Sequence, residues 1–224
     1  MAEVQGTGGE FEVLVAGAAQ LGVELDDGQA RGLLAYLDLI YQWNRSAGLT
    51  SISRSQAVRL HLLDSLSLLD LLQGYSELAD LGSGAGLPGI PLALVRPDLG
   101  VVLVEIRERK CSFLAEASRR LGLANVEVVR MNAHSLADSG RRFEAVCGRA
   151  FLPLPALAAL GLGLLKPGGS LLLMCGPAGS GMGEEIKAAN PGSRITQERR
   201  LRLPGGTERR CLLKFSGPAR TCFT

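Results

Sequence analysis

"LADLGSGAGLPGIPLAL", residues 78–94, sets a short apolar run directly ahead of a turn holding Gly82, Gly84, Gly86 and Gly89. The run reads as a strand and the stretch from about Gly89 as the start of a helix. A turn this tight needs residues that tolerate positive φ and let a ligand approach the backbone. In a doubly wound sheet such a turn lies at the carboxyl end of the first strand, where ligands bind.

Outward from this turn the chain alternates. "VVLVEI" (101–106) reads as a strand and "KCSFLAEASRRLG" (110–122) as a helix. "VEVVRM" (126–131) and "FEAVCGRAF" (143–151) are strands, and "PLPALAALGLGLL" (153–165) is helical. "KPGG" (166–169) is a turn and "SLLLMCG" (170–176) a strand. "RITQERRLRLPGGTERRCLLKF" (194–215) is two strands joined by a Pro-Gly-Gly turn. Upstream, residues 1–9 are glycine-rich and expected to be flexible, and residues 10–74 form a helical extension. "GLLAYLDLIYQWN" places Leu33, Leu37, Ile40 and Tyr41 on one face, and "SQAVRLHLLDSLSLLDLL" is apolar around more of its circumference, with Ser53 or Ser55 as its cap. The expected fold is α/β: a Rossmann-like, mostly parallel seven-stranded sheet with helices on both faces, over residues 75–217, and a C-terminal tail over 218–224.

The 224 residues can bury a core without staples. The five cysteines (Cys111, Cys147, Cys175, Cys211 and Cys222) form no CxxC pair and no metal-ligand spacing, so buried thiols in a reducing compartment and no metal are expected. The early Glu3, Glu10 and Glu12 do not suit a signal peptide, and the longest charge-free apolar stretch, Ala150 to Leu165, has 16 residues broken by two prolines. A cytoplasmic protein without a membrane contact is expected, with a monomer as the assembly. The net charge of +2 hides an asymmetry: residues 1–80 hold 11 acidic and 4 basic side chains, the remainder 11 and 20. A basic second part attracts phosphate backbones. Aromatic residues make up only 4%, so a base-stacking platform is not indicated.

The glycine spacing has two readings. Gly84-x-Gly86-x-x-Gly89 matches the dinucleotide fingerprint, while Asp80-x-Gly82-x-Gly84-x-Gly86 matches the loop of proteins that bind S-adenosylmethionine. Glu105 ends the second strand, 19 residues after Gly86, where a carboxylate accepts hydrogen bonds from a ribose diol. That position serves both ligands. Asp80 beside the loop would welcome a sulfonium and an amino group and repel a pyrophosphate. "LKPGGSLLL" resembles the turn ahead of the fifth strand in many Rossmann-like methyltransferases, and the space after the second strand leaves little room for a dehydrogenase substrate domain. The methyl donor is favoured over a nicotinamide.

Several motifs in order then carry a closer resemblance. "DLGSGAGLPGIPLALVRP" resembles the signature of the bacterial glucose-inhibited division protein B family, whose members methylate 16S ribosomal RNA to 7-methylguanosine. "WNRSAGLTSI", "HLLDSL", "GRAF" and "ERRCLLKF" resemble further segments of that family, over roughly residues 30–215. The resemblance implies the small ribosomal subunit or its 16S RNA as partner and S-adenosylmethionine as donor. It implies donor contacts at Gly82 and Leu87, adenine contacts at Ala133 and His134, and Arg149 at the donor or the guanine. The chain departs from the family pattern at His134 (usually acidic), Asn132 (often Arg), Cys175 (Lys) and Gly48 (Asn, which equally tolerates a left-handed backbone).

The implied chemistry asks for alignment more than acid–base work, because N7 of guanine already carries a free lone pair. No general base is nominated. His61 reads as a hydrogen-bonded core histidine, with Asp64 and Ser65 on its helical face bracing the helical cap or lining a base pocket. Two other readings stand beside this one: an NAD-dependent oxidoreductase, from the dinucleotide match, and a donor-binding relative without turnover, from the changes at Asn132, His134 and Cys175. Arg199, Arg200, Arg202, Arg209 and Arg210 flank the last hairpin as candidate phosphate contacts, with Arg200 and Arg202 alternating outward and Leu201 and Leu203 inward. Replacing Arg200 and Arg202 together by Ala is expected to weaken RNA binding and flatten its salt dependence; unchanged binding across a salt series removes this surface from the footprint.

Overall fold

The structure is a computed structural model describing residues 7–149 and 152–217. Seven strands form one sheet in the order β3-β2-β1-β4-β5-β7-β6, with β1 Glu77–Leu81, β2 Gly100–Glu105, β3 Val126–Arg130, β4 Phe143–Arg149, β5 Leu165–Cys175, β6 Arg194–Arg202 and β7 Arg209–Ser216. β1 to β5 pair in parallel, and β7 inserts antiparallel between β5 and β6. The strand order reverses at β1, which lies between β2 and β4, so the turns after β1 and β4 diverge and open a crevice at their carboxyl ends.

β1, β2 and β4 are buried almost throughout because both faces are covered, whereas the edge strands β3 and β6 keep exposed polar side chains. Leu78, Val101, Leu103 and Cys147 face one core, shared with the N-terminal helices; Ala79, Leu81, Val104 and Val146 face the other. The first core takes α1 Thr7–Gln20, α2 Asp27–Ala47 and a broken helix α3 over 54–66, followed by a 3₁₀ turn at Leu69–Leu72. It also takes α4 Gly89–Val95 and α5 Glu108–Arg120. The second core is closed by α6 Ala133–Asp138, α7 Leu154–Gly163 and α8 Met182–Ala189.

Four local details differ from the sequence expectation. The first helix starts at Thr7, ahead of the expected Glu10; residues 1–6 and 218–224 lie outside the described residues, as do Ala150 and Phe151 of the "GRAF" segment. The helical extension divides at Asp26, whose side chain accepts from Gln29 N while the Gln29 side chain accepts from Asp26 N, a capping box that starts α2. Ser53 sits at the start of α3 without a capping bond, its hydroxyl bonded to Ser55 and Gln56 instead. Lys166–Gly169, expected as a free turn, is absorbed into β5 as an irregularity between the Phe143–Leu165 and Ala145–Ser170 pairs.

The glycine loop is held from three sides. Gly82, Gly84 and Gly86 have φ of 66°, 59° and 87°. At Gly86 a Cβ would meet Ile90 and Leu114 at 2.8 and 2.9 Å, so both space and backbone require glycine there. Gly89 serves packing: a Cβ would press on Leu103 and on Asp80 Oδ2. Asp80 lies under the loop, fully buried, and accepts from Gly89 N at 3.1 Å. Burial raises its carboxyl from the usual 3.8 to about 6, against the lowering pull of that Gly89 bond. The Tyr36 hydroxyl on α2, itself fully buried, donates to Ala85 O and so ties the helical extension to the loop. Replacing Tyr36 by Phe strands that buried carbonyl; denaturant unfolding is expected to show a loss of about 1–3 kcal/mol with the fold retained.

Candidate functional site

A cavity of about 490 Å³ opens at the carboxyl edge of the sheet, at the point where the strand order reverses. Its floor is the loop Gly82–Ser83–Gly84–Ala85, and Leu87 joins the wall. β2 contributes Glu105 and β3 leads into Asn132 and Ala133. A cavity of this volume suits a nucleoside-sized ligand.

Glu105 is 7% exposed and its carboxylate is partly committed: Oε1 accepts from Ile106 N and Arg107 N, both at 2.8 Å, and Oε2 from Gly84 N at 3.1 Å. Oε2 keeps acceptor capacity toward the cavity, the requirement for holding a ribose diol. A Cβ on Gly84 would meet only Gly82 O and Lys110 Nζ, at 3.7 and 3.8 Å, so a side chain there would occupy the cavity itself. These features fit an adenosine-bearing donor. Asp80, expected beside the ligand, is not among the lining residues; it acts from below, through the backbone of Gly89.

Of the residues expected to hold the donor, Gly82, Gly84, Leu87, Glu105, Ala133 and Arg149 line this one cavity. His134 does not. Its backbone N–H is taken by Asn132 Oδ1, which caps α6, and its exposed ring stands beside the same oxygen at 3.2 Å. Asn132 is therefore both helix cap and cavity wall, a role no spacing rule assigned. Lys110, Ile106 and Met131 also line the cavity and were missed, although each follows the end of β2 or β3, where ligand contacts concentrate.

The helical extension supplies the other wall through a relay of hydrogen bonds. α2 ends at Gly48, left-handed at φ 58°, as the sequence reading allowed. Asn44 Oδ1 then accepts from Leu49 N and Thr50 N, and Asn44 Nδ2 donates to Thr50 O. Thr50 Oγ1, so positioned, stands 2.8 Å from His61 Nε2. The other ring nitrogen of His61 faces Leu60 O, which only accepts, so Nδ1 carries the proton. Burial, with Arg149 nearby, lowers His61 to about 4, so it is neutral at pH 7. It is the buried, hydrogen-bonded histidine expected, yet it also forms part of the wall. The middle of α3, Val58–Leu63, widens to π-type turns, with Asp64 N reaching back to Arg59 O.

His61 and Arg149 also line a second cavity of about 470 Å³, with Asp64, Met174, Cys175 and Arg210 among its walls. Asp64, with a side chain 3% exposed, receives Arg149 Nη1 at 3.1 Å on Oδ2 and Arg210 Nε at 2.9 Å on Oδ1. Cys175 donates its Sγ–H to Cys211 O, and burial pushes its thiol up to about 12, so it carries no nucleophile. Arg210 in turn borders a third cavity of about 440 Å³, with Arg200, Arg202 and Arg209.

Two arginine expectations need correction. Arg210 is not a free surface cation, because its Nε is spent on buried Asp64. Arg199 turns to Asp70 of the helical extension, at 3.3 Å, and stays off the outer face. Arg200 and Arg202 are exposed and Leu203 is buried, as the alternation along β6 requires; Arg200 also pairs with Glu198. Among the described residues no group of histidine, cysteine and carboxylate side chains suits a metal ion, and no helix is long and apolar enough to cross a membrane.

Comparison with known proteins bears on the family and the fold. A family model described as rRNA small subunit methyltransferase G matches residues 29–212. A ribosomal RNA small subunit methyltransferase G from Aromatoleum aromaticum is 41% identical over 206 residues, covering 89% of this chain and 96% of the relative. One of the same name from Geobacter sulfurreducens is 39% identical over 211 residues, covering 93% and 94%. Among solved structures, the CcbJ methyltransferase of Streptomyces caelestis superposes with a TM-score of 0.57 at 15% identity, covering 77% of this chain and 96% of that one. The glycopeptide N-methyltransferase MtfA in complex with S-adenosylmethionine gives 0.55 at 15%, covering 70% and 95%. At that identity the two share the fold alone. The motif order in the sequence, the match over most of its length and the similarity to complete relatives converge, and the chain belongs to the rRNA small subunit methyltransferase G (GidB) family.

Proposed function

We propose that this protein transfers a methyl group from S-adenosylmethionine to N7 of a guanine in 16S ribosomal RNA. The observation that carries the reading is the pair of cavities sharing Arg149 and His61; in this reading the first takes the adenosine-bearing donor and the second, beside it, the acceptor. The donor supplies an electrophilic methyl group on a sulfonium centre. Gly82, Gly84, Leu87, Glu105 and Ala133 would hold it, with Glu105 accepting from the ribose and the loop leaving room for its methionine end. The His134 contact is withdrawn from this set in favour of Asn132, on the geometry above.

The remaining work of the chain is orientation. N7 attacks with its own lone pair, so no residue must remove a proton first, and a neutral His61 in the wall fits that requirement. The base must leave its stack to enter the second cavity, and arginines outside it hold the backbone of the strand. Arg200, Arg202 and Arg209 line the third cavity, which shares Arg210 with the second, and are the phosphate contacts in this reading. The helical extension 10–74 acts as a cap that closes the acceptor side, and 75–217 is the methyltransferase domain. A monomer in the cytoplasm, working on the small subunit or its RNA, completes the reading. An NAD-dependent oxidoreductase is not favoured, since the family match and the acceptor cavity both speak for methyl transfer.

Transfer of labelled methyl to small-subunit RNA lacking the modification is expected to yield label in 7-methylguanosine. Label in another nucleoside, or none, overturns the reading. Glu105→Gln is expected to weaken S-adenosylhomocysteine binding by about tenfold or more in calorimetry, since a charged acceptor is lost. Unchanged affinity would take Glu105 out of the donor site.

A further inference from the structure

We propose that Asp64 is the specificity determinant for the base: its carboxylate accepts from N1–H and the 2-amino group of the target guanine while Arg149 donates to O6. This rests on the reading of the chain as a guanine N7 methyltransferase and says which of its atoms read the guanine.

Asp64 is almost fully buried, yet it lines the second cavity, where its remaining acceptor capacity can meet a ligand. Each carboxylate oxygen takes one guanidinium N–H, from Arg149 on Oδ2 and from Arg210 on Oδ1, and each retains further acceptor capacity. A carboxylate between two guanidinium groups presents acceptors alone. Guanine is the one RNA base that presents two adjacent donors, N1–H and the 2-amino group, on its Watson–Crick edge.

The order of groups in the site matches the order of atoms on the base. Around guanine the sequence runs N7, O6, N1, 2-amino. Across the site it runs from the donor cavity through Arg149, which lines both cavities, to Asp64, which lines the second alone. With N7 toward the donor, O6 falls to the arginine and the two donors to the carboxylate. Adenine in the same pose would set its 6-amino group against Arg149 and its unprotonated N1 against Asp64, two repulsive pairs. Rejection of adenine then follows from the site itself rather than from RNA sequence. Ile52, Leu60 and Met174 in the cavity lining supply apolar contact for the purine faces.

Arg210 acts here as a positioning residue. It reaches Asp64 from β7 and also donates to Arg209 O, so the carboxylate is held from the hairpin side as well as from β4.

The test uses small-subunit RNA in which the methylated guanine, once mapped, is replaced by hypoxanthine. Hypoxanthine keeps N7, O6 and N1–H and lacks only the 2-amino group. The wild-type protein is expected to prefer guanine by about tenfold or more in kcat/KM. Asp64→Asn is expected to lose most of that preference, and comparing the ratio between the two proteins cancels the intrinsic difference in N7 reactivity. Binding of S-adenosylhomocysteine by Asp64→Asn, measured in parallel, reports whether its donor cavity is intact. Equal rates of the wild-type protein on both RNAs overturn the proposal, and this arm decides even where Asp64→Asn fails to fold. Full retention of the preference by a folded Asp64→Asn overturns it as well. Failure of the wild-type protein to methylate any guanine is a different result, because it removes the functional reading on which the proposal rests.

Discussion

A single buried carboxylate joins the three parts of this molecule. Asp64 belongs to the helical extension, Arg149 ends β4 of the sheet, and Arg210 comes from the terminal hairpin; both arginines converge on Asp64. Buried ion pairs seldom add net stability, but removing one partner leaves an uncompensated charge at a cost of about 3–5 kcal/mol. The three elements are therefore held in one relative arrangement. That arrangement is what creates the second cavity, since its walls come from all three. The Arg59–Glu208 pair ties α3 to the hairpin turn at a second point.

The donor side is organised differently, through backbone. The glycine loop is fixed from below by Asp80, from the side by Glu105, and from the helical extension by Tyr36. Each of these bonds uses a main-chain atom of the loop or of the helix start behind it, so the backbone that faces the ligand is fixed in place. Preorganisation of this kind suits a reaction whose barrier is governed by alignment of nucleophile, methyl and leaving sulfur. The neutral state of His61 and the unreactive thiol of Cys175 are consistent with it, as neither an acid–base pair nor a covalent nucleophile is required.

The central strands β1, β2 and β4 were legible because each is short, mostly apolar and followed by glycine or a polar segment, and because burial on both faces makes such runs nearly continuous. Gly82, Gly84, Leu87, Glu105, Ala133 and Arg149 were legible as site residues because they sit at strand ends or in a turn whose backbone demands are local. Arg210 and Arg199 were misread for the opposite reason. Alternation along a strand says which face a side chain leaves from, while the partner it finds depends on what another element brings to that face: Asp64 in one case and Asp70 in the other. His134 was assigned by position in a motif, yet Asn132 claims its N–H by capping α6.

By itself, then, the sequence determined the alternation of strand and helix, the glycine turn that opens the donor cavity, the carboxylate at the end of β2 and the family. All of these rest on interactions between residues near one another in the chain or on periodicity that burial imposes. Only the tertiary structure decided that His61, Asp64, Arg149 and Arg210 meet around one cavity. The 146 residues between Asp64 and Arg210 carry no local signal, and the convergence follows from sheet order and from the packing of the helical extension across the carboxyl edge.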